Sequence, residues 1–71
     1  MNVRVFFNGK TDFTPHDFPV MPQVGNVLCW ESGRFIVERV GFVSDGGEMI
    51  AAAWAKEDRP LINETQGLRS V

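Results

Sequence analysis

The chain has 71 residues, with seven basic and nine acidic side chains, one histidine and one cysteine, and a net charge of −2. That length allows one small domain, the single cysteine excludes an internal disulfide, and the charge balance lacks the basic footprint of most nucleic-acid binders. Yet 44% of the residues are hydrophobic and eight are aromatic, six Phe and two Trp, so the composition is that of a folded domain. The sequence shows no signal-peptide pattern and no apolar span of about 18 residues, and it reads as cytoplasmic.

In chain order, Asn2 to Asn8 alternates, with Val3, Val5 and Phe7 on one face and Arg4 and Phe6 on the other. That period predicts a half-buried strand. Asn8-Gly9 is a turn dipeptide, because both residues tolerate positive φ, and it leads into a long loop. Residues 14–26 contain Pro15, Pro19, Pro22 and Gly25, which exclude a central strand or a helix interior. Phe18, Val20, Met21 and Val24 predict that this loop packs on the body.

A β-rich unit follows. Val27 to Glu31 is a strand, Ser32-Gly33 a turn, Arg34 to Val43 a longer strand, and Ser44-Asp45-Gly46-Gly47 a second hairpin turn. Phe35 and Val37 share one face and Val40 and Phe42 the other, unless a bulge at Gly41 or at the Glu38-Arg39 step changes the inward face. Residues 48–58 support two readings. Their helix formers and an Asp45–Glu48 capping pattern allow a helix, whereas the hairpin signal and the alternation of Ile50, Ala52 and Trp54 favour a strand. As a strand it is taken for a barrel edge near Met49 to Ala55 that a partner could extend. Arg59-Pro60 ends the element. The division is one β-rich domain over 1–58 and a C-terminal extension over 59–71, partly mobile, with Leu61 and Ile62 able to add a short closing strand.

The residues restrict the chemistry. One cysteine and one histidine cannot build a structural zinc site within one chain. No nucleophile motif is present. His16 sits in the proline-rich loop, and Cys29 between Leu28 and Trp30 reads as an inert core thiol. Glu57 and Asp58 are adjacent and would point to opposite faces of a strand, so they cannot flank one bond. Gly46-Gly47 lacks the Lys-Ser/Thr of a phosphate loop. The reading is a non-enzyme with no cofactor and no metal.

The aromatic surplus favours protein binding, since Trp and Arg are enriched at interface hot spots. Trp54 and Phe6 are the expected contact residues, with Arg34 and Arg39 as polar support. A nucleic-acid-binding barrel, using the Arg4–Phe6 interleaving, and a structural homo-oligomer are the alternatives. Pro22 to Val27, Trp30, Gly33 to Val37 and the Asp45-Gly46-Gly47 turn together resemble a small SH3-like barrel over about residues 20–57. The resemblance implies a mainly β fold, a partly open antiparallel barrel of four to five strands, and transfers no functional residue. A small acidic chain of this sort is also similar in style to accessory proteins of phages and mobile elements, which implies binding to and inhibition of a host protein.

Overall fold

The computed structural model describes residues 1–58. The regular structure is five strands, β1 (Asn2–Phe7), β2 (Thr14–Asp17), β3 (Val27–Trp30), β4 (Gly33–Asp45) and β5 (Glu48–Glu57). They form one sheet in the order β2-β1-β5-β4-β3. Every junction is antiparallel except β1 against β5, which is parallel. The sheet curls into an open half-barrel, consistent with an SH3-like fold at the level of fold alone. The curl is visible in the contacts of its outer strands: His16 of β2 meets Trp30 of β3 edge-on, at 5.3 Å between ring centroids.

Residues 48–57 are strand throughout, and the helix reading is corrected. The reason lies in the turn. Asp45 pairs directly with Glu48 across Gly46 and Gly47, whose φ values of 60° and 89° suit a two-residue loop with both φ positive. Nine further pairs of ladder then outweigh a helix propensity of tenths of a kcal/mol per residue. β5 is also not an edge. It lies between β1 and β4, so the expected site of strand addition at Met49 to Ala55 is occupied by β1 over Ala52 to Ala55.

Asn8 and Gly9 form the expected turn, with φ of 56° and 73° and the Lys10 N–H donating to the Phe7 carbonyl at 3.1 Å. The segment beyond is not wholly loop. Thr14–Asp17 pairs with β1 despite Pro15, because β2 is an outer strand and a missing N–H facing outward breaks no ladder bond. The loop from Phe18 to Asn26 packs on the body through Phe18 and Met21, whereas Val20 and Val24, also expected to pack, are exposed. Val37 donates to the Asn26 carbonyl at 2.9 Å and accepts from Gly25 at 2.8 Å, while Phe18 and Met21 lie against the core.

The core sits on the concave face. It consists of Val3, Val5 and Phe7 from β1, Phe35 and Val37 from β4, and Ala51, Ala53 and Ala55 from β5. A bulge falls between Val37 and Arg39, one of the two places the sequence allows. It reverses the side-chain alternation, so Phe35, Val37, Val40 and Phe42 all come to the concave side, opposite Glu57, Ala55, Ala53 and Ala51. Trp30 closes the core by stacking on Phe7 at 4.8 Å, and Phe35 meets Phe7 edge-on at 4.5 Å. Cys29 points the other way and is exposed, which corrects its reading as a core thiol. The expected extension over 59–71, with its closing strand at Leu61 and Ile62, lies outside the described residues.

Candidate protein-interaction face

Alternation along each strand puts the remaining side chains on the convex face. The register sets Arg39, Trp54 and Phe6 side by side on β4, β5 and β1. Their side chains form a row that runs across the strands. The Arg39 guanidinium lies 4.5 Å from the Trp54 ring, Trp54 stacks on Phe6 at 5.3 Å and 10°, and Phe6 meets Phe13 edge-on at 5.9 Å. Arg4 completes the row, 4.3 Å over the Phe13 ring, while its Nη2 donates to Asp45 Oδ2 at 2.8 Å.

Of the four expected contact residues, the structure brings Trp54, Phe6 and Arg39 together. Arg34 shares their face but stands five residues from Arg39, roughly 15 Å along the strand, and pairs with Asp58 at 3.3 Å. Arg4, which the sequence offered only for the nucleic-acid alternative, and Phe13, which it did not offer, also join the row. The signal for Phe13 was weak, because it lies in a loop whose fold-back over β1 is fixed only by the β1–β2 pairing. Phe6 and Trp54 are half-buried and Phe13 is 42% exposed, so the row is partly open to solvent.

Asp17, Asp45 and Glu48 lie toward one end of the convex face and Arg34, Lys56 and the Arg34 partner Asp58 toward the other, with the aromatic row between. All four basic residues carried by strands (Arg4, Arg34, Arg39 and Lys56) are on this face. The opposite, concave side has a cavity of about 280 Å³ lined by Phe7, His16, Phe18, Leu28 and Trp30, with Cys29 at its rim. His16 Nε2 is buried there without a hydrogen-bond partner among the described residues. Aromatic rings enclose the imidazole, those of Phe7 at 6.2 Å, Phe18 at 6.4 Å and Trp30 at 5.3 Å.

Among the described residues no cluster of His, Cys, Asp and Glu could hold a metal ion, and no helix is long and apolar enough to cross a membrane. No protein-family model, curated protein or solved structure matches the chain.

Proposed function

We propose that this chain is a small non-enzymatic protein-binding module that uses its convex face. The observation behind the reading is the continuous row Arg39–Trp54–Phe6–Phe13–Arg4, fixed by ring stacking and two cation–π contacts. Holding arginine and aromatic groups in place before a partner arrives lowers the entropy lost on binding, and Trp and Arg are the side chains that most often dominate interface energy. An accessory protein that inhibits a host protein would act by such stoichiometric occupancy, and that is the narrower form of the proposal.

Nucleic-acid binding is the second reading, favoured by the placement of all four strand-borne basic residues on the aromatic face. Against it, a base needs a free ring face, and Trp54 has Phe6 and Arg39 stacked on it. The test is parallel affinity capture with the wild-type chain and Trp54→Ala, with nuclease present and at about 0.5 M salt, where phosphate contacts fail. A discrete protein held by the wild type and lost by the folded variant supports the module. Capture abolished by nuclease supports the second reading, and equal capture by both chains overturns the assignment of the face.

A further inference from the structure

The edge of β4 provides an inference that does not rest on the proposed partner of the convex face. β3 pairs with β4 only at Gly33 to Ile36, and the loop bonds to Val37, so the β4 edge from Glu38 to Asp45 has no backbone partner among the described residues. An edge this long is usually guarded by proline, charged side chains, a bulge or a covering element. Here the bulge and the charges Glu38, Arg39 and Asp45 stand at its two ends, and the stretch from Val40 to Ser44 has none of these guards among the described residues. Instead Phe42 is 60% exposed on it, beside Met49 at 67% on the adjoining strand.

The hairpin geometry fixes which groups the edge presents. In a two-residue hairpin the flanking pair, here Asp45 and Glu48, exchanges hydrogen bonds. Counting back, Val43, Gly41 and Arg39 direct their backbone groups to β5, and Ser44, Phe42 and Val40 direct theirs outward. The bonds of Val37 to Gly25 and Asn26 on that outer side agree with this phase across the bulge.

We propose that a second copy of this chain occupies the edge, with the two β4 strands antiparallel about a two-fold axis at Phe42. In that register Val40 faces Ser44 of the other copy and Phe42 faces its own equivalent, so three outward-directed pairs each exchange two hydrogen bonds. The same register sets Arg39, which lies over Trp54, opposite Asp45 of the other copy, twice, on the same face of the joined sheet. There Asp45 Oδ2 already accepts from Arg4, and its second oxygen is a further acceptor for the incoming guanidinium. Sliding by two residues in either direction takes Arg39 off Asp45. Charge complementarity therefore selects both the partner and the register. Because the axis is perpendicular to the sheet, the convex faces of both copies come to the same side and their aromatic rows form one composite surface.

Sedimentation equilibrium of the wild type, Phe42→Lys and Phe42→Glu tests this from about 10 μM to about 1 mM, the range of a small interface. The wild type is expected to approach twice its chain mass of 8.0 kDa as concentration rises. Each variant puts like charges opposite each other and is expected to stay at one chain mass, and an equimolar mixture of the two to return to two. Circular dichroism checks that the variants keep the sheet, as exposure of Phe42 predicts. A wild type monomeric over the whole range overturns the proposal, and so does either variant dimerising as well as the wild type. Loss of partner capture in Trp54→Ala leaves this result unchanged, so the two proposals fail separately.

Discussion

His16 and Trp30 meet at 5.3 Å although they belong to the two outermost strands of the sheet. Their contact closes the concave side, and Phe7 lies against both, stacked on Trp30 at 4.8 Å and edge-on to His16 at 6.2 Å. The two tryptophans thus differ in task. Trp30 holds the curl, and Trp54 forms the centre of the convex row.

That difference predicts opposite outcomes for two similar substitutions. Trp30→Ala removes a ring packed on the core and should cost about 3 kcal/mol or more, close to the whole stability of so small a domain. Trp54→Ala loses one stacked pair and one cation–π contact and should cost about 1–2 kcal/mol. Urea titration followed by circular dichroism should find the first variant largely unfolded and the second folded with a lowered midpoint.

The β3–β4 turn is strained. Glu31 and Ser32 both have positive φ, at 49° and 66°, where L side chains crowd the following carbonyl. Trp30 pairs with Gly33, so the loop has two residues and needs that conformation at both. Replacing the pair with Asn and Gly (Glu31→Asn together with Ser32→Gly) should raise stability by about 1 kcal/mol. A higher urea midpoint with an unchanged slope would show it.

Gly33 next to that turn has the opposite sensitivity. A Cβ there would lie 2.8 Å from Phe35 Cε1 and 3.1 Å from its Cζ. The Phe35 ring is buried and held by Phe7, so it has little room to yield. Gly33→Ala should cost about 1–3 kcal/mol by overpacking, and thermal unfolding should show a clearly lower Tm.

The Arg4–Asp45 ion pair links β1 to the tip of the β4–β5 hairpin at 2.8 Å, but the Asp45 side chain is 57% exposed. Its contribution should be under about 1 kcal/mol and screened by salt. Asp45→Asn should lower the urea midpoint slightly in dilute buffer and not at about 1 M sodium chloride, where the screening length is about 3 Å. A loss that persists at high salt would show that the contact acts through packing of the Arg4 stem instead.

Local pattern carried much of the architecture. The alternation in β1 separated Val3, Val5 and Phe7 from Arg4 and Phe6, and the Asn8-Gly9 and Gly46-Gly47 turns lay where positive φ was needed. Segment 48–57 was ambiguous because alanine and glutamate favour helices while the alternation favours a strand. Pairing with both neighbours settled it, and a single-segment reading contains no information about such neighbours. Cys29 was misread for a related reason: an apolar strand on the side of a sheet leaves alternate residues outside, and period alone does not say which.

The sequence by itself determined the β class, the Asn8-Gly9 turn, the approximate places of the two hairpin turns, the single bulge as one of two choices, and the residue types available for binding, because these follow from dihedral preference and period-two alternation. The structure moves the first hairpin turn from Ser32-Gly33 to Glu31-Ser32 and shortens the second to Gly46-Gly47. Only the tertiary structure decided that β1 lies parallel to β5, since a pairing 48 positions apart in sequence, as between Phe6 and Trp54, is set by burial of a shared face and not by either segment. That one junction assembles the aromatic row, and the short reach of β3 leaves the β4 edge from Glu38 to Asp45 without a backbone partner among the described residues.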